Sequence, residues 1–251
     1  MERKKHKYKR LIFFILLISI TTSFFAQTTY HKIVYQAYIC GDMSKWVAVI
    51  NTMEKNGENK TLNQKLELIN YYYGYIGYLL GLKKYVQAEK IIAKGDKLIK
   101  EILAVQKQNA TANAFKGSFI GFRIALSKFK AITLGPESSF YINKALEYDK
   151  NNVQAIVDKA NIYFYTPSLF GGNKNEAIRF YKQGIAVFEK SGNAENNWFY
   201  LSVLTTLAKA YEKINKPNEA LIVYRKILKI EPEYHWVKNE LYPELIRKIN
   251  S

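Results

Sequence analysis

The strongest constraint on this chain is a spacing. In Leu201–Glu233, Leu204, Leu207, Ala208 and Tyr211 fall on one stripe, and Ala220, Tyr224 and Ile227 fall on a second. Apolar residues that return every three or four positions lie on one face of an α-helix. Asn215-Lys216-Pro217-Asn218 separates the stripes, with Pro217 suited to the first turn of the next helix, and Pro232 ends that helix. Small Ala208 and Ala220 let two antiparallel helices approach closely, while Tyr211 and Tyr224 fill the space beside them.

The segment Val153–Lys190 repeats the arrangement. Ile156, Ala160 and Tyr163 match the first stripe; Ala177, Tyr181 and Gly184 match the second. Tyr211 to Ala220 is nine residues and Tyr163 to Ala177 is fourteen, so five extra residues sit in the turn Tyr165–Asn173. Within that turn Pro167 and Gly171-Gly172 limit or widen the backbone at defined points. Leu169 and Phe170 either form a contact ridge or flap over a groove, or tuck under the helices to brace the longer turn.

Ser139–Asn152 reads as the second helix of an earlier unit, with Ala145 at its small position and Asp149–Asn152 as the exit turn. Leu66–Leu82 and Lys84–Ile102 form a degenerate pair with Ala88 at the close approach. Gly74, Gly77 and Gly81 fall near one face and predict a closely packed neighbour; Tyr71, Tyr75 and Tyr78 form a separate stripe. Tyr30–Gly41 and Met43–Glu54 make a first pair anchored by Trp46. Ala110–Lys128 is a further helix, Leu134-Gly135-Pro136 a break, and Tyr234–Asn250 a closing helix of the kind a solenoid needs over its last apolar face. The expected fold is all-α, a superhelix of about five helix pairs with a C-terminal cap. Against that background the 20 Tyr and 14 Phe read as fillers of the seams between helices.

The N-terminus sets a destination. Met1–Arg10 is basic, Leu11–Ile20 is apolar, and TTSFFAQ follows. This order is that of a secretory signal peptide, 1–26, cleaved after Ala26. Leu11–Ala26 is 16 residues and includes four hydroxyl side chains, whereas a spanning helix needs about 20 mostly apolar residues. An uncleaved inner-membrane anchor is the alternative. The expected organisation is one helical domain, 27–251, in the periplasm, with no stable membrane insertion after cleavage.

Six of the 38 basic residues and one of the 21 acids lie in Met1–Arg10, which leaves 32 against 20, a net charge of +12. The lysines are spread along the chain, with no internal basic block, so nucleic acid is not an expected partner. Cys40 is the only cysteine, which excludes an internal disulfide; a buried thiol is expected. After export His31 and His235 are the only histidines, and no HExxH, CxxC, nucleophile elbow or GxxxxGK[ST] loop occurs. No catalytic, cofactor-binding or metal-ligating residue is assigned, and the chain is expected not to be an enzyme.

The small, aromatic and proline positions of Ser139–Glu233 resemble the tetratricopeptide repeat (TPR), a helix-turn-helix unit of about 34 residues. The long turn Pro167–Asn173, followed by Glu176-Ala177 and Phe180-Tyr181, is similar to repeats of small exported TPR proteins from Bacteroidetes-type bacteria. It also resembles the T component of TRAP transporters, a periplasmic TPR-like protein that helps handle apolar ligands. The resemblance implies a right-handed α-α superhelix whose groove, lined by the first helix of each pair, binds proteins or peptides. By position it selects Gln154, Val157, Asn161, Phe164 and Tyr165 in one repeat, and Ser202, Thr205, Lys209, Glu212 and Lys213 in the next. Val157 stands where a carboxylate-clamp lysine belongs, which argues against such a clamp; groove-facing residues that are merely solvated are the plainer alternative. Two functions follow as expectations: a protein-interaction scaffold of the cell envelope, or a carrier of an apolar small ligand in an aromatic-lined cavity near Tyr71–Tyr78 and Phe164.

Overall fold

The computed structural model describes residues 29–55 and 60–250, so the predicted signal peptide lies outside the described residues. Among these, eleven α-helices follow one another without a strand. They are α1 (29–40), α2 (Met43–Lys55), α3 (Leu62–Gly81), α4 (Tyr85–Val105), α5 (Ala110–Leu126), α6 (Ala131–Tyr148), α7 (Val153–Tyr165), α8 (Lys174–Lys190), α9 (Trp198–Lys213), α10 (Pro217–Ile230) and α11 (Tyr242–Asn250). A π-helical turn, Val237–Leu241, leads into α11 and makes the closing helix continuous from 235.

The helix starts are written in local chemistry. Asn109, Asn152, Asn173 and Asn197 each turn a side-chain oxygen onto the free N–H groups of the helix that follows. Thr61 and Gln64 form a reciprocal capping box on α3. Such caps contribute about 1 kcal/mol each and fix where each helix begins.

Successive helices from α3 onward pack side by side. Lys65 near the start of α3 pairs with Glu101 near the end of α4 at 2.7 Å, so these two run antiparallel. The first helices of successive pairs run parallel. Asn152, the cap of α7, donates to the Thr111 hydroxyl at the start of α5 at 2.9 Å, and Ser118 meets Asp158 halfway along both helices. The small positions read from the sequence, Ala88, Ala145, Ala160, Ala177, Ala208 and Ala220, are all fully buried in the seams.

The two ends of the superhelix meet. Tyr35 of α1 donates its hydroxyl to Glu231 at 2.9 Å. The Tyr38 ring lies 5.7 Å from Trp198 and 5.2 Å from Tyr234. Trp46 of α2 packs edge-on to Trp198 at 4.9 Å, and the Trp198 indole donates to Asn70 of α3 at 3.0 Å. The first pair therefore closes the concave side against the last repeat.

Four expectations are corrected. Pro136 does not break the chain: it sits inside α6. Its exposed flank lets water satisfy the carbonyl that proline leaves without a donor. Cys40 is exposed, because it is the last residue of α1, one position beyond buried Ile39 and just before the left-handed turn at Gly41. Of the α3 glycines only Gly74 serves a close approach: a Cβ there would lie 2.6 Å from Trp46 and 2.8 Å from Trp198, while Gly77 and Gly81 face open space. Leu169 and Phe170 do not tuck under the helices. They lie in a 3-10 turn, 88% and 72% exposed, closed by Gly171 at φ 89°.

Candidate functional site

The inner face of the superhelix is organised around Asp158, in the middle of α7. Its carboxylate is buried and receives Tyr73 of α3 at 3.0 Å, Gln154 at 2.8 Å, Asn161 at 3.3 Å and the Ser118 hydroxyl of α5. Tyr181 of α8 donates to the Asn161 carbonyl at 2.7 Å, and the Asn161 amide reaches the Tyr73 hydroxyl at 3.2 Å. One acid thus ties four helices together. Burial pushes its pKa up to about 6, against the four hydrogen bonds that favour the charged form. Burial, and then the Asp158 charge, holds the Tyr73 hydroxyl well above its ordinary value.

Rings surround this polar knot. Tyr73 lies 5.2 Å from Phe122, 6.1 Å from Phe115 and 5.7 Å from Phe199. Phe199 belongs to α9, so the ring cluster spans the concave side. On the side of the α7–α8 turn stands Tyr165, 72% exposed, edge-on to Phe164 at 4.9 Å. Its hydroxyl is close enough to raise the pKa of Tyr73 and of Tyr181 electrostatically.

The residues selected from the sequence divide accordingly. Asn161, half-buried, and Tyr165 reach the rim, with Phe164 buried just beneath. Gln154 is buried and spent on Asp158. Val157 is buried in the α7–α8 seam, where its methyl would lie 3.1 Å from a Cβ on Gly184. Thr205 is buried and donates to the Leu201 carbonyl at 2.8 Å. These three do not present an open surface. Thr205 is buried and Ser202 half-buried, so neither lies on an open groove. Lys209 lies 5.1 Å over the Trp236 ring, with its pKa lowered by burial. Glu212 accepts from Tyr224 at 2.7 Å, and Lys213 is exposed.

Asp158, Tyr73, Ser118 and Tyr181 were not among the residues selected. A trace of them existed: Gln154, Asp158 and Asn161 sit at i, i+4 and i+7, a polar stripe along a helix whose other residues, Lys159 apart, are apolar or aromatic. Tyr71 is buried, 6.2 Å from Trp46, and Tyr75 stacks on Tyr78 at 6.1 Å; Tyr73, between them in sequence, is the ring that turns inward. Among the described residues no group of three or more His, Cys, Asp or Glu could hold a metal ion.

The tetratricopeptide repeat family pattern matches residues 201–234. Among solved structures the chain is similar to TTC0263, a thermophilic TPR protein in Thermus thermophilus, at TM-score 0.56 and 14% identity, over 88% of this chain and 98% of that one. The chain carries a tetratricopeptide repeat at 201–234 within a TPR-like all-helical fold. The TPR-like chain is also similar to the HusA haemophore from Porphyromonas gingivalis, at TM-score 0.50 and 16% identity, over 63% of this chain and 80% of that one. No curated protein matches the sequence. At these identities the likeness shows the fold alone, a TPR-like α-α superhelix. No helix among the described residues is long and apolar enough to cross a membrane.

Proposed function

We propose that this TPR-type chain is an exported, non-catalytic scaffold of the cell envelope, whose domain 27–251 follows a removed leader, 1–26. It holds a protein or peptide partner at the inner rim formed by Asn161, Phe164 and Tyr165. The observation that carries the proposal is Tyr165, an aromatic ring 72% exposed beside a fixed polar floor. Asn161 is held at both ends by Tyr181 and by Tyr73 with Asp158, so the one acceptor position left on its carbonyl meets a ligand donor without first losing rotamer freedom. Aromatic anchors next to pre-set amides are what peptide recognition uses.

The test is capture of envelope proteins on the tagged chain, compared with Asn161→Ala/Tyr165→Ala. The double variant is expected to lose one reproducible partner while keeping the helical far-UV signal. Equal recovery by both chains would count against the rim.

A second function is favoured by a separate observation, the Tyr73, Phe115, Phe122 and Phe199 rings gathered on the inner face. Packed within the core, they would have to part around an apolar, flat small ligand, as in a transport accessory resembling the TRAP T component; HusA is by its title a haemophore. Titration with haemin, read by its absorbance, and native mass spectrometry of the freshly purified chain separate this carrier function from the scaffold.

A further inference from the structure

Exposed apolar side chains recur at one set of turns; Val105, 85% exposed at the end of α4, stands alone at its turn on the other edge, and Ile222 on α10 is 65% exposed. Because α3, α5 and α7 run parallel, the turns that lead from them to α4, α6 and α8 emerge along one edge of the superhelix. At the first turn Leu82 and Val86 are 47% and 70% exposed. At the second Phe129 and Ile132 are 94% and 83% exposed, and at the third Leu169 and Phe170 stand out as described. Lys83 and Lys84 accompany the first pair and Lys128 and Lys130 the second; Lys174, after the third, is turned back onto the Phe164 carbonyl. No acid occurs in 82–86, 126–134 or 165–174. The opposite edge, built from the other set of turns, is mixed: Asp149, Glu195, Glu231 and Glu233 stand there with Lys107, Lys150 and Lys190.

We infer that this edge rests on an anionic lipid bilayer, with the apolar tips of the three turns in the headgroup boundary and the lysines of the first two turns at the phosphate level. Four considerations select a bilayer over a protein groove. The apolar groups stand on separate tips, in a row rather than in a concavity. Neighbouring helices pack about 9 Å apart, so a flat surface can touch all three tips at once. Lysines beside apolar tips extend their ammonium groups to the headgroups while their stems stay apolar. The charge is complementary: the edge is basic without an acid, and each lysine near an anionic surface adds attraction that salt screens. The association is peripheral.

The experiment uses the full chain with Cys40→Ser and one new cysteine carrying an environment-sensitive dye. Ser168→Cys places it on the apolar edge, and Asn151→Cys places it on the opposite edge. With vesicles of phosphatidylethanolamine and phosphatidylglycerol, the dye at 168 is expected to shift to the blue and to be quenched by brominated lipid, and the dye at 151 is not. Tethering through the N-terminal segment would bring both edges to the vesicle alike, so the difference between positions is what is read. Changing Lys83, Lys84, Lys128 and Lys130 to Glu is expected to weaken the signal at 168 about ten-fold or more, as is raised salt. Equal signals at 168 and 151, no signal at 168, or an unchanged signal in the charge-reversed chain, each with an intact far-UV spectrum, would overturn the inference.

Discussion

Tyr35 and Glu231 lie 196 residues apart in sequence and 2.9 Å apart in the fold. This hydrogen bond and the neighbouring contacts of Tyr38 fasten the first helix to the turn that follows the last TPR-type repeat. An α-α superhelix held only between successive neighbours is open; this one is joined end to end. Tyr38→Ala removes ring contacts to Trp46, Trp198 and Tyr234. It is expected to destabilise the chain by about 2–4 kcal/mol, and Tyr35→Phe by about 1 kcal/mol. Urea unfolding checks both values, and unchanged midpoints would mean that the ends do not hold each other.

Asp158 makes stability depend on pH. Its folded pKa, about 6, stands above its ordinary 3.8, so between these values the folded chain binds the extra proton. Stability from the neutral acid is full below pH 4 and is lost as pH rises through 6. Asp158→Asn keeps the shape without the charge. The stability of the natural chain relative to the variant should therefore fall by about 3 kcal/mol between pH 4 and pH 7. Thermal unfolding of both chains across that range checks the sign, and a pH-independent difference would contradict it.

The two α3 glycines should respond in opposite directions. Gly74→Ala drives a methyl into Trp46 and Trp198 and is expected to cost about 1–3 kcal/mol. Gly77→Ala meets nothing within 4 Å and is expected to stabilise the helix by up to about 1 kcal/mol. Paired denaturant curves decide, and two shifts of the same sign would place α3 differently.

Pro136→Ala restores an N–H to the interior of α6 and relieves the clash with the preceding turn. It is expected to raise the unfolding midpoint, by at most about 3 kcal/mol because the site is exposed. A lowered midpoint would show that the proline itself is needed for the seam with α5.

The parts of this fold that were legible in the sequence are the local ones. Ala208 with Ala220, and Ala160 with Ala177, record the seam of a helix pair within about 15 residues, and a periodicity survives to be read. The contact of Tyr38 with Tyr234 leaves no such record, since nothing in either segment specifies the other. Ser202 and Thr205 were selected for a groove by their place in the repeat, and the fold buries Thr205 and half-buries Ser202. Asp158 reads as one more solvated acid until Tyr73 and Ser118, from two other helices, are brought to it. Pro136 misled because its penalty is small on a face open to water.

The binding rim is tested most directly by a photo-crosslinking side chain placed at Tyr165 and, as a control on the outer face, at Ile222, which is 65% exposed. In cells, position 165 is expected to give one discrete protein adduct and position 222 none. An adduct from 222 alone, or none from either position, would contradict a partner held at the inner face.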